Sequence, residues 1–196
     1  MKIPKELIVN CEKGPERKAW LHGLPALVKD LEARWSIRMG EPFDHTGSCS
    51  WVASATRANG DAAVLKLAMP HMEGQDEISG LRFWKGHGTV KLLEADLQSG
   101  AMLLERCLPG TTLHSEPEWR QDEVVANLLK QIWSLTQAPS DLFGFRPLSL
   151  MIEFWYGETL AQRRLWPDVG LVNEGLRLFK ELVRPDPTDV LLTTDL

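Results

Sequence analysis

The chain has 196 residues, of which 43% are apolar and 25% charged, and its formal net charge is -5. This composition is typical of a globular protein with one sizeable domain or two small lobes. The acidic balance and the lack of a basic cluster argue against a nucleic-acid partner, which requires a concentrated basic surface. No stretch approaches the roughly 20 apolar residues of a membrane-spanning helix, so no membrane association is expected.

Cysteine usage and the N-terminus bear on the compartment. Cys11, Cys49 and Cys107 are scattered, without the paired spacing of a zinc site or a disulfide framework. The apolar run at residues 7–9 is too short for the core of a signal peptide. Because an odd number of scattered cysteines suits a reducing compartment, we expect a cytoplasmic protein.

The first half of the chain predicts an α+β fold. Residues 1–15 show no clear period, and residues 16–34 predict a helix that Pro25 either kinks or divides into two short helices. An Asn59-Gly60 turn separates two of the strand-like runs that follow. These runs, at residues 35–43, 51–56, 62–67, 90–95 and 101–105, surround one helix at residues 75–84. This order favours a five-stranded antiparallel sheet rather than a βαβ unit.

One charged pair stands out within this pattern. Lys66 lies in the third predicted strand, and Glu77 lies near the start of the following helix. In kinase-like folds a strand lysine contacts the α and β phosphates of ATP, and a helix glutamate fixes that lysine by an ion pair. The alternative is an edge-strand lysine and a solvated helix glutamate. The order of the surrounding elements favours nucleotide binding.

A turn of small residues connects the first two strands. Gly47, Ser48 and Ser50 would let backbone N–H groups approach phosphate oxygens with little steric hindrance. An ordinary hairpin loop would have a similar composition. We interpret these three residues as a cover over the nucleotide phosphates.

The composition changes after the fifth strand. Residues 106–110 are interpreted as a hinge between two lobes, where backbone groups near Glu105 and Cys107 would hydrogen-bond the adenine edge. A simple interdomain turn is the alternative. Residues 1–105 would then form an N-terminal lobe with a helical extension, and residues 111–196 a partial helical C-terminal lobe.

The C-terminal part is predicted to be mainly helical. Helices are expected at residues 119–137, 148–164 and 171–183, and residues 189–196 begin as a strand. The apolar faces of the first and third of these helices would be partly uncovered. Such patches tend to find partners, so a dimer through these helices is a further expectation.

Five segments in order resemble one family. They are residues 34–40, 63–67, 76–84, 90–96 and 102–110. Over a span from about Leu24 to the last residue, the chain resembles the aminoglycoside and hydroxyurea phosphotransferases, in particular the branch of streptomycin 6-kinases. The resemblance implies a bilobal protein-kinase-like fold, ATP and Mg²⁺ as cofactors, and a role in antibiotic resistance.

The resemblance also implies a catalytic residue. The family's catalytic loop typically reads His-Gly-Asp-Leu-His, and Asp195 falls where its aspartate should be, as the base that orients the acceptor hydroxyl. Thr193 stands where the family usually has the first histidine. The asparagine and later aspartate that hold Mg²⁺ in kinase-like enzymes do not occur before Leu196. No metal ligand is therefore assigned, and residues 1–196 alone are expected to transfer little or no phosphate.

The sequence leaves alternatives for function. The leading hypothesis is transfer of the γ-phosphate of ATP to an alcohol group of a cationic, streptomycin-like aminoglycoside or of a hydroxyurea-like acceptor. A second is a non-catalytic remnant of such a kinase that binds nucleotide or a partner. A third is a kinase for a choline-like or sugar-like alcohol.

Overall fold

The computed structural model describes residues 1–43, 48–71, 74–135, 144–183 and 190–193, with the side chains of Gln75 and Leu182 left aside. The chain forms two compact units, residues 1–135 and 136–196. Among the described residues, the first unit contains the sheet and four α-helices, and the second contains two more α-helices. The lobes and hinge expected from the sequence, with a boundary at residues 106–110, stay a prediction.

The first unit is built on one antiparallel sheet. Its five strands are β1 (Ile37–Pro42), β2 (Ser50–Arg57), β3 (Ala62–Ala68), β4 (Leu92–Asp96) and β5 (Ala101–Glu105). They lie in the order β1-β2-β3-β5-β4, with every neighbouring pair antiparallel. The predicted five-stranded antiparallel sheet is confirmed, and β3 is its central strand.

The turn between β2 and β3 follows its local sequence. The Gly60 amide donates to the Arg57 carbonyl at 2.9 Å, and Gly60 has φ +90°, a conformation that glycine adopts without strain. The Asn59 side chain donates to Asp61 at 2.7 Å and accepts from the Asp61 amide at 3.1 Å. These local bonds hold the predicted Asn-Gly hairpin and fix the register between β2 and β3.

Two helices supply the apolar cover for one face of the sheet. These are α1 (Lys5–Cys11) and α2 (Pro15–Arg34). Their fully buried residues Leu7, Cys11, Leu24 and Leu31 form a cluster with Trp51, Ala53, Leu65, Leu67, Met69 and Ala101 of the sheet region. Because Leu65 and Leu67 alternate with Lys66 along β3, this core lies on the face opposite Lys66.

Two expectations for the N-terminal region are corrected here. Residues 1–15 showed no period, but residues 5–11 form α1, because Leu7 and Cys11 are four residues apart and both are buried in the core. The prediction of two short helices around Pro25 is wrong, since α2 is one helix of 20 residues with Pro25 inside it. Burial of Leu24 and Leu31 on either side of the proline explains why packing can keep this helix continuous.

The other face of the sheet packs against α3 (Gly74–Trp84). Ile78 and Leu81 of this helix form a cluster with Met102 and Leu104 of β5, and Val64 packs against that cluster. Gly80 lies so close to Trp84 that a Cβ there would be 2.7 Å from the indole ring. The helix is thus anchored to the Lys66 face of the sheet through Ile78 and Leu81.

The helices after the sheet agree with the predicted positions. α4 (Glu118–Trp133) completes the first unit, and α5 (Leu148–Gln162) and α6 (Val169–Leu182) form the second, with short 3-10 helices at Leu113–Ser115 and Arg163–Leu165. The Asp168 side chain caps α6 by accepting from the Leu171 amide at 3.0 Å. Met151 and Ile152 of α5 and Leu176 of α6 are buried.

Residues 190–193 are not in a strand, so the strand expected to begin at residue 189 is wrong over that part. Large apolar side chains remain exposed on α4 and α6, among them Trp119 and Leu171. A dimer through these helices stays a prediction. No helix in the described part of the chain combines the length and apolar character needed to cross a membrane.

Candidate functional site

Lys66 and Glu77 come together in the first unit. The Lys66 ammonium donates to Glu77 Oε1 at 2.5 Å, and the two side chains are 26% and 35% exposed. Lys66 comes from the centre of the sheet and Glu77 from the first turn of α3, where a carboxylate also interacts favourably with the helix dipole. The edge-strand alternative is excluded, since β3 has β2 on one side and β5 on the other.

The strand register shows what surrounds this pair. Val52 of β2 and Met102 of β5 lie directly opposite Lys66, so their side chains share its face of the sheet. Val64, two residues before Lys66, also lies on this face. Lys66 is therefore a half-exposed cation at the border of an apolar surface.

A cavity of about 320 Å³ lies along the same face. Val64, Val90, Leu104 and Pro109 supply apolar lining, and the other lining residues are Phe43, Glu105, Arg106, Cys107 and Gly110. The Arg106 guanidinium lies 5.7 Å from the centre of the Phe43 ring, within the range of a cation–π contact. A flat heterocycle can be buried between such walls.

Glu105 and Cys107, assigned to adenine from the sequence, both line this cavity. The Glu105 amide donates to the Lys91 carbonyl at 2.9 Å, and the Glu105 carboxylate accepts from the Lys91 amide at 2.7 Å. Because its N–H is already bonded, Glu105 cannot donate that group to an adenine edge. Cys107 follows the end of β5 and has an exposed thiol.

The structure describes two of the three residues of the predicted phosphate cover, Ser48 and Ser50. Ser50 begins β2 opposite Ala68, two residues beyond the Val52–Lys66 pair and on the same face. Ser48 precedes the strand and is held through its carbonyl, which accepts from the Asn10 side chain at 3.0 Å. Gly47 lies outside the described residues.

The catalytic aspartate assigned by resemblance, Asp195, also lies outside the described residues. Thr193 is described, and its hydroxyl is buried without a hydrogen-bond partner within the described ranges. Among the residues the structure describes, no three or more His, Cys, Asp or Glu side chains come together as a metal site would require. The described residues thus place the lysine, the glutamate and the cavity in the first unit.

The residues that form the walls of the cavity were not predicted from the sequence as part of the site. Phe43, Val64, Val90 and Leu104 were considered only as strand residues, although each now lines the cavity. The period of two along β3 could have placed Val64 beside Lys66. The approach of Phe43 to Arg106 joins segments more than sixty residues apart, and no local pattern predicts it.

A five-stranded antiparallel sheet, a central-strand lysine and its helix glutamate define a protein of kinase-like α+β fold. The profile of the aminoglycoside/hydroxyurea antibiotic resistance kinases matches residues 34–182, and the chain belongs to this family. No solved structure matches the chain.

Curated relatives agree with this assignment. A streptomycin 6-kinase of Streptomyces glaucescens is 35% identical over 199 residues, which covers 100% of this chain and 64% of the relative. A streptomycin 6-kinase of Streptomyces griseus is 40% identical over 64% of this chain and 41% of the relative. A hydroxyurea phosphotransferase of Kitasatospora aureofaciens is 37% identical over 74% of this chain and 43% of the relative. The chain therefore spans less than two thirds of the length of each relative.

Proposed function

We propose that this chain provides the nucleotide-binding part of an ATP-dependent small-molecule phosphotransferase. The observation that carries the proposal is the Lys66–Glu77 ion pair on the same face of the sheet as the apolar cavity, whose lining includes Val64, two residues before Lys66. Adenine would occupy the cavity, and the Lys66 ammonium would contact the α and β phosphates while Glu77 keeps it in place. Ser48 and Ser50 would face the phosphates from the start of β2.

The described residues fit the nucleotide better than the metal. A cavity of about 320 Å³ with apolar walls suits a purine, and the Lys66 ammonium on the same face of the sheet suits polyphosphate. Mg²⁺ bound with ATP would neutralise charge on the β and γ phosphates. Asp195, carried over by resemblance, would take the proton of the acceptor hydroxyl.

The relatives suggest the acceptor. Two are named as streptomycin 6-kinases and one as a hydroxyurea phosphotransferase. We propose an alcohol group of a streptomycin-like aminoglycoside or a hydroxyurea-like compound as acceptor, and antibiotic resistance as the role. The net charge of -5 is compatible with a cationic aminoglycoside.

Alkylation of cysteines tests nucleotide binding without requiring turnover. Cys107 lines the cavity, Cys49 is exposed beside Ser48, and Cys11 is buried. Adenosine is expected to slow alkylation of Cys107 alone, and Mg·ATP should slow alkylation of both Cys107 and Cys49. Unchanged rates at Cys107 with saturating Mg·ATP would contradict a purine site in this cavity.

Transfer of labelled γ-phosphate then identifies the acceptor. Labelling of streptomycin, of hydroxyurea or of a choline-like or sugar-like alcohol would select among the proposed classes. Nucleotide binding with no transfer to any of them is the result expected for residues 1–196 alone, and normal turnover by this chain would contradict that expectation. A matched Lys66→Met variant distinguishes transfer at this site from a contaminating kinase.

A further inference from the structure

The N-terminal segment at residues 2–11, which includes α1, is hydrogen-bonded at two points to residues 48–51, around the start of β2. The Asn10 side chain donates to the Ser48 carbonyl at 3.0 Å, and the Trp51 indole donates to the Lys2 carbonyl at 2.9 Å. These bonds join residues 38 and 49 positions apart in the chain. Both ends of the α1 segment are therefore tied to the residues that precede or begin β2.

A third contact links α1 to the end of β3. The Cys11 thiol lies 3.5 Å from the Met69 sulfur, and the Met69 amide donates to the Cys49 carbonyl at 2.8 Å. Leu7 and Cys11 are fully buried in the core beneath these strands. Because its apolar face is buried, α1 is a fixed support for residues 48–51.

The Asn10 side chain connects α1 to Ser48 by a hydrogen bond. Its side-chain oxygen accepts from the Lys13 ammonium at 2.5 Å, so the amide group is oriented from one side while its NH₂ donates to Ser48 on the other. Fixing the Ser48 carbonyl restricts the rotation of the adjoining peptide groups. Those peptide groups lead directly into Ser50, on the Lys66 face of the sheet.

We propose that Asn10 is a positioning residue for the nucleotide phosphates, acting through Ser48. This inference rests on the proposed function and extends it to a segment upstream of residues 34–182. Asn10 itself touches no substrate. Because Asn10 restricts residues 48–50 before binding, these residues lose less conformational entropy when they order around phosphate groups.

The test compares Mg·ATP with adenosine, since only the former has phosphates. In Asn10→Ala, the dissociation constant of Mg·ATP is expected to rise about three- to tenfold, the range for one lost hydrogen bond. The dissociation constant of adenosine should stay within about twofold. Equilibrium dialysis with labelled ligands measures both, and rescue by Asn10→His, which keeps a donor, would support the role.

Two further variants keep the result interpretable. Asn10→Asp preserves size but removes the donor, and it should reproduce the selective loss of Mg·ATP. Asn127→Ala is the matched control, because Asn127 is also a helical asparagine of the first unit but is exposed on α4 rather than bonded to Ser48. It should leave both dissociation constants unchanged.

The outcomes separate this inference from the proposed function. A wild-type protein that binds neither ligand overturns both. A wild-type protein that binds Mg·ATP, with Asn10 variants that bind it equally well or that lose adenosine to the same extent, overturns the role of Asn10 alone.

Discussion

Replacing Lys66 by methionine tests the central pair most directly. Methionine keeps the unbranched apolar part of the side chain within β3 and removes the ammonium that meets Glu77 at 2.5 Å. A hydrogen bond to a charged group contributes about 1.5–3 kcal/mol, and about 1.4 kcal/mol corresponds to a tenfold change in affinity. The Lys66→Met variant is therefore expected to bind Mg·ATP about 10- to 100-fold more weakly.

Adenosine binding should be almost unchanged in the same variant. The cavity walls at Val64, Val90 and Leu104 remain, and they need no cation to bury a purine. The assay is equilibrium dialysis with labelled Mg·ATP and adenosine, supported by the nucleotide-dependent rise in melting temperature. A Glu77→Gln variant should show a smaller loss for Mg·ATP, about two- to fivefold, since a partly exposed ion pair contributes about 0.2–1 kcal/mol.

Lys29→Met is the matched control. It removes the same charge from an exposed position on α2, whose buried residues pack on the opposite face of the sheet. If Lys29→Met weakens Mg·ATP binding as much as Lys66→Met does, the effect comes from net charge and the reasoning is refuted. Unchanged binding in Lys66→Met refutes it as well.

Three further predictions concern stability and reactivity. Leu7→Ala should lower the free energy of unfolding by about 2–5 kcal/mol because Leu7 is fully buried. Ile8→Ala, at a position 36% exposed, should cost much less, and urea denaturation compares the two. The Arg34 side chain lowers the pKa of the Asp96 carboxyl, so this group contributes stability above its unfolded pKa of about 4 and loses it as pH falls through the lowered folded value. Asp96→Asn should flatten that acid dependence, and an unaltered acid transition would contradict the assignment. Burial raises the pKa of the Cys11 thiol, so at pH 8 it should alkylate far more slowly than in urea, and equal rates would show that α1 is not packed.

Local sequence was sufficient for the elements whose pattern is strong. The apolar run of β3, the Asn59-Gly60 turn and the amphipathic face of α4 are local patterns that can be recognised without a partner. The short helix α1 was missed because two buried residues in seven give no detectable period. Its helical state depends on burial of Leu7 and Cys11 against β2 and β3.

For the site, the sequence determined the residue types and the order in which they occur. A lysine in an apolar strand and a glutamate on the next helix, together with the order of the surrounding elements, predicted that the two side chains meet, as they do at 2.5 Å. The sequence could not show that Phe43 and Arg106 meet at one side of the cavity. It also could not show that the Asn10 side chain donates to the Ser48 carbonyl. Those contacts join segments distant in the chain, and they form only when the strands pair in one sheet and α1 packs against it.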